Sequence, residues 1–284
     1  MLRLKQLVVV FQSVLVTFVA AAKADMIGVS WNSANSPVVQ INETTGTGTT
    51  VGLSGFFGLN SLAIDNVGTL YSATDHIDAT PPLLRLVKIN PTTGAGTAGA
   101  ILDFGAVQPA VRALAFSPQD VLYAINNTGP PGQTVTHDLY TIDVNSGTGT
   151  FIGVTGIGIQ GLDFSPSGVL YGWDIFLGLV TIDPATGVAT DVNPAVGGLS
   201  FPIQTIAFSP NGVLYGAYNS LFTIDISTGI PTPVGSGGYT DVRGIEFLAV
   251  PEPGSAALLA LALLALLATS PNQVGVHDAT VSRN

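Results

Sequence analysis

Cysteine is absent from all 284 residues, which excludes disulfides, Cys-ligated zinc and thiol catalysis together. Basic residues are scarce: 8 Lys and Arg stand against 18 Asp and Glu, for a net charge of −10. Between residues 25 and 250 the only basic side chains are Arg85, Lys88, Arg112 and Arg243. Such a surface repels phosphate backbones, so nucleic acid is excluded as a partner. Charged residues reach only 9%, and the polar surface must come from Thr, Ser, Asn and Gly. Between the two ends no stretch shows sustained helical periodicity. No Gly-x-Ser-x-Gly elbow, HExxH or multi-carboxylate calcium loop is present. Gly156-x-Gly158 has no following helical pattern, which removes a dinucleotide fingerprint.

The ends are apolar. Arg3 and Lys5 precede the run Leu7 to Ala20, and Ala22-Lys23-Ala24 comes next as a small-x-small cleavage site. This predicts a signal peptide over 1–24, cut after Ala24, and therefore export. Near the other end, Pro251-Glu252-Pro253 and Gly254-Ser255 lead into Ala256 to Ala268, a run of only Ala and Leu. The two prolines stop a helix from continuing upstream. The run shows no amphipathic stripe, and from Gly254 to Ser270 it has about the length that spans a bilayer.

The tripeptide with its helix resembles the PEP-CTERM sorting signal. That resemblance implies an exosortase, a membrane-embedded cysteine protease, as partner. It also implies membrane attachment through the C-terminal helix and delivery to the cell surface or outside, in association with exopolysaccharide and biofilm. The basic cluster that usually ends the signal is missing, with Arg283 the only basic residue in the polar tail 271–284. The organisation predicted is a signal peptide (1–24), a repeat domain (25–250), a sorting signal with a transmembrane helix (251–270) and a tail (271–284).

Within 25–250, "GLDFSPSGVLYGWD" (161–174), "TIAFSPNGVLYGAYN" (205–219), "ALAFSPQDVLYAINN" (113–127) and "SLAIDNVGTLYSATD" (61–75) align. Each is succeeded by a second pattern of the type "TIDPATGVATDV" (181–192). Repetition at this spacing indicates a propeller, solenoid or array. Each repeat reads as four short strands, a to d. Ser-Pro-x-Gly turns a into b, with Asp120 taking the glycine's place once, and a turn of Asp or Asn, two residues, then Thr-Gly or Ser-Gly joins c to d. Strand a occurs at Leu62, Leu114, Leu162, Ile206 and Ile245. The last of these lacks its own b strand, which "MIGVSWN" (26–32) supplies. The prediction is an all-β, five-bladed propeller of four-stranded antiparallel blades, closed by both termini. The repeat resembles those of YVTN- and NHL-like propellers, in architecture only.

One face carries the stereotyped a–b and c–d turns, and the other carries the longer b–c and d–a loops, where binding is expected. On that face a polar residue recurs after strand b: Asn32, Asp75, Asn126, Asp174 and Asn219. Strand-end caps explain this pattern; a ring of calcium ligands is the alternative, and calcium is the one cofactor the pattern admits. His76 and His137, beside acidic residues, suggest acid–base chemistry. Trp31, Trp173 and Tyr218 suggest rings that stack on sugars. These ten residues are the candidate ligand-binding set, with no catalytic residue assigned and the metal unknown. The expectation is a non-catalytic surface module binding exopolysaccharide or envelope proteins. The alternatives are a secreted hydrolase or lyase using loop-face Asp and His, and a purely structural matrix protein.

Overall fold

A computed structural model describes residues 25–74, 84–105, 110–127 and 137–248. Asp75, His76, Ala24, Pro251, Glu252 and Pro253 lie outside them, with both terminal signals. The described residues form β1 (Asp25–Ser30), β2 (Pro37–Ile41) and β3 (Gly48–Leu53), then β4 (Leu59–Ile64), β5 (Leu70–Thr74), β6 (Arg85–Ile89) and β7 (Gly96–Ile101). Next come β8 (Val111–Phe116), β9 (Leu122–Asn127), β10 (His137–Ile142) and β11 (Gly149–Val154). After them stand β12 (Ile159–Phe164), β13 (Leu170–Asp174), β14 (Gly178–Ile182) and β15 (Ala189–Asp191). The last group is β16 (Thr205–Phe208), β17 (Leu214–Ala217), β18 (Leu221–Ile224), β19 (Pro231–Gly235) and β20 (Val242–Leu248).

These strands form five antiparallel four-stranded sheets. Four are consecutive, and the fifth has the order β20-β1-β2-β3, so the last strand joins the first three. Asp25 pairs with Leu248 and Ile27 with Glu246. The sequence expectation of five blades closed by both termini is met. Inner strands β4, β8, β12, β16 and β20 pack side by side in a closed ring.

Burial is a consequence of this geometry. Inner and middle strands are covered on both faces, as in Leu70 to Thr74, all buried, whereas the outer strands β3 and β7 are mostly exposed. Five apolar clusters fill the five interfaces between blades, including that between β16–β19 and the shared blade. Each interface holds several fully buried Leu, Ile or Val side chains, each worth about 1.5–3 kcal/mol. Four interfaces repeat one aromatic contact, from a strand-b tyrosine to the next blade's strand-a phenylalanine. Tyr71–Phe116, Tyr123–Phe164, Tyr171–Phe208 and Tyr215–Phe247 have ring centroids 5.5, 5.3, 5.4 and 5.4 Å apart.

The turns use the chemistry read from the sequence. Asp120 takes φ 64° where the other a–b turns place glycine, as at Gly168 with φ 84°. At the c–d turn, Asp143 Oδ1 accepts the backbone N–H groups of Asn145 and Ser146 at 2.9 and 2.8 Å. Those bonds hold its carboxyl below the usual carboxylate range. The c–d glycine serves twice: Gly94 has φ 75°, and a Cβ there would lie 2.9 Å from the Gly52 backbone of the neighbouring blade.

Candidate functional site

At the loop-face end of the axis lies a cleft of about 710 Å³. Its floor comes from one register position of the inner strands. Two residues before the buried Leu or Ile of each strand a stand Asn60, Arg112, Gln160, Gln204 and Arg243. In β8, β12 and β20 this residue is the extra one of a β-bulge, because pairing skips Arg112, Gln160 and Arg243. A bulge turns its side chain out of the ladder's alternation, here into the axis. Arg112, Gln160, Gln204 and Arg243 line the cleft, while Asn60 donates to the Val111 carbonyl at 3.1 Å and ties β4 to β8.

His137 opens β10 and pairs with Asn127 across the blade. Its residue is 2% exposed, and Nδ1 is buried with no hydrogen-bond partner. The ring is bonded to the Ile159 backbone of the next blade, so with Nδ1 unpartnered Nε2–H is the donor. Burial is the main cause that lowers its pKa to about 4, Arg112 adds to the effect, and Asp174 opposes it. At neutral pH the imidazole is therefore uncharged, with a lone pair on Nδ1. An unmet acceptor of this kind costs about 1–3 kcal/mol and marks a place where a ligand can act.

Asp174, 1% exposed, is committed to the backbone. Oδ1 accepts from Phe176 and Leu177 at 2.7 and 2.8 Å, and Oδ2 from Gly158 at 2.5 Å. The turn it shapes places Phe176 on the cleft rim, 60% exposed. Arg243 is held by an acid and an aromatic ring. Its Nε and Nη2 donate to Asp241 at 2.8 and 3.2 Å, and its guanidinium lies 5.0 Å from the centre of the Trp31 ring. Asn219 Oδ1 accepts the Asp241 N–H at 2.8 Å.

The structure thus brings His137 and Asp174 to the cleft, and connects Trp31 and Asn219 to it through Arg243. Asn126 and Asn32 act on backbone: Asn126 Oδ1 accepts from Ala110 at 2.5 Å, and Asn32 Oδ1 from Ala34 and Asn35 at 2.8 and 3.1 Å. Strand-end capping accounts for these oxygens. Among the described residues no group of three His, Asp or Glu side chains is placed to hold a metal ion. Trp173 is fully buried against Leu179, Ile203 and Ile206, so it offers no face to a sugar; Tyr218 is half-buried and lies off the cleft.

The sequence reading missed Arg112, Gln160, Gln204 and Arg243. Their signal was a polar residue, then a small one, then Leu or Ile: Asn60-Ser61-Leu62, Arg112-Ala113-Leu114, Gln160-Gly161-Leu162, Gln204-Thr205-Ile206 and Arg243-Gly244-Ile245.

No protein-family pattern matches the chain, and no curated protein matches it. Solved structures do. A gluconolactonase of Xanthomonas campestris aligns with a TM-score of 0.49 at 14% identity, over 76% of this chain and 77% of its own. A candidate 6-phosphogluconolactonase of Bacteroides fragilis aligns at 0.47 and 13%, over 81% and 99%. The PQQ-bound aldose sugar dehydrogenase of Streptomyces coelicolor aligns at 0.45 and 15%, over 81% and 82%. At such identities the likeness is one of fold. The sequence expectation was a module without catalysis, whereas these propellers are named for sugar-lactone and sugar chemistry. The chain is an all-β, five-bladed propeller with a cleft of mixed polar and apolar lining at one mouth of its axis.

Proposed function

We propose that this protein is an exported hydrolase that opens the ester bond of a sugar-derived lactone in the axial cleft. The observation that carries the reading is the buried, uncharged His137, with an unpartnered Nδ1, beside a cleft lined by two guanidinium groups. In the reaction, the imidazole turns to bring the buried Nδ1 to the cleft, and Nδ1 takes a proton from water as its oxygen adds to the acyl carbon. Arg112 and Arg243 stabilise the oxyanion that forms. The acyl C–O bond then breaks, the imidazole returns the proton to the leaving alkoxide, and a hydroxy acid is released. Gln160, Gln204 and Asn127 supply hydrogen bonds for substrate hydroxyls, and Phe176 covers an apolar ring face. The sequence signals at 1–24 and 251–270 support export and handling by an exosortase, which intact-mass measurement on protein from the native host tests; a mature chain retaining Asn284 would count against such handling.

The activity is tested by acid release from five- and six-membered aldonolactones, measured above the spontaneous rate. His137→Ala is expected to lower the catalysed rate by about a hundredfold or more while leaving the fold intact. Acid release no faster than in buffer, or equal rates in wild type and a folded His137→Ala variant, would overturn the proposal.

A further inference from the structure

At the opposite end of the axis, among the stereotyped turns, a second cavity of about 390 Å³ is walled by Ile64, Phe116, Phe164, Phe208 and Phe247, one from each inner strand. Two acidic side chains, Asp163 and Glu246, line this cavity, only 8% and 7% exposed. They share one register position, which is Ala63, Ala115 and Ala207 in the other blades. Each carboxyl reaches across to a neighbouring strand. Asp163 on β12 accepts the N–H of Phe164 at 2.7 Å and of Phe208 on β16 at 2.6 Å. Glu246 on β20 accepts from Phe247 at 3.2 Å and from Ile64 on β4.

Among the described residues, nothing of opposite charge lines their cavity. Arg112 and Arg243 belong to the other mouth, and neither Arg85 nor Lys88 reaches this one. Towards the pair, β4 presents Ile64 and then Asn66, β8 presents Phe116 and Ser117, and β16 presents Phe208 and Ser209. The nearest other acids on this face are on turns: Asp65 accepts from Val67 and Thr69, and Asp120 from Asn66. Two buried carboxyl groups without a cation beside them repel when both are ionised.

We infer that Asp163 and Glu246 form a proton-held clasp on the inner-strand ring, tight when the pair retains protons and loosened when both carboxyls ionise. As neutral acids they still offer an oxygen to the cross-strand N–H, a bond that by itself favours the anion, and they add no charge to the axis. As anions they place like charges in one cavity, and the repulsion opposes the packing that holds β12 and β20 around it. Burial raises both groups, Asp163 to about 7 and Glu246 well above its ordinary value; the charge of Asp163 adds to the rise of Glu246, and the backbone N–H bonds oppose both shifts. For acids raised in the folded state, the linked stability is complete below the unfolded values, near pH 4, and is lost as pH rises through the folded ones. The clasp is independent of the hydrolase proposal.

The test is unfolding by denaturant of the full chain carrying His137→Phe, so that this residue does not titrate, between about pH 5 and pH 9. Each proton held only in the folded state lowers the folding constant about tenfold per pH unit. A decline with rising pH that flattens when Asp163→Asn/Glu246→Gln is added supports the clasp; a flat profile in the His137→Phe chain, or an equal decline with the two substitutions added, overturns it. Should the variant fail to fold, infrared spectra of the native chain at about pH 7 decide: a protonated-carboxyl C=O band supports the clasp, and only carboxylate bands overturn it.

Discussion

His137 is a residue whose charge state is set by its surroundings. With its pKa lowered to about 4, the folded protein resists protonation that the unfolded chain accepts near its ordinary value. The linked stability is therefore present above about pH 6.5 and is lost as pH falls towards 4, by about 3 kcal/mol in all. Replacing His137 with Phe should remove that acid-side loss, as read by denaturation midpoints at about pH 4 and pH 7. Arg243 offers a sharper probe of the cleft. Its fork meets both oxygens of Asp241, and its guanidinium lies over the Trp31 ring. Lysine keeps the charge but neither the fork nor the stacking. Arg243→Lys is expected to slow lactone turnover about tenfold or more with little change in melting temperature. Equal turnover would remove Arg243 from the proposed chemistry.

At the scale of the element, the inner strand does two jobs that conflict in a regular ladder. Its core residues must alternate into the two blade interfaces, while one side chain must face the axis. The bulge at Arg112, Gln160 and Arg243 resolves this by adding a residue without shifting the register of the later ones. The next position must then be small. At Gly161 a Cβ would come within 2.7 Å of the Ile206 nitrogen and 2.9 Å of the Thr205 backbone. Gly161→Val should cost about 1–3 kcal/mol or more by forcing β12 from β16, measurable in urea. The polar–small–aliphatic triplet was legible in the sequence; its meaning was not, because an axial ring exists only once five strands stand side by side.

Across the whole molecule, stability rests on closure. Leu248 lies beside Asp25 in the shared sheet, so the two ends of the propeller meet. A circular permutant that links them by a short loop, with new ends in the exposed a–b turn at Val67, should melt within about 5 °C of the native propeller. Deleting 242–248 removes Ile245 and Phe247 from the apolar cluster shared with β16–β19, and exposes an edge at β1. That chain should lose cooperative unfolding, as monitored by near-ultraviolet circular dichroism. Retention of a sharp transition would place the stability in single blades instead.

Blade number, strand order and turn chemistry could be read from the sequence alone, because each is local or periodic. A positive φ at Asp120, an Asx cap at Asp143 and a missing b strand made good by the N-terminus need only neighbours and counting. Trp173 and the Asx residues were harder to place, since a side chain at a strand end can turn to solvent, core or backbone with the same sequence around it. Tertiary structure alone decided which charges meet. Arg112 and Arg243 sit in different blades, as do Asp163 and Glu246, and each pair shares a mouth of the axis only because the closed ring brings equivalent registers to one height. Closure also made His137 neutral and raised the two buried acids, for desolvation depends on the blade that packs next door, not on the residues adjacent in the chain.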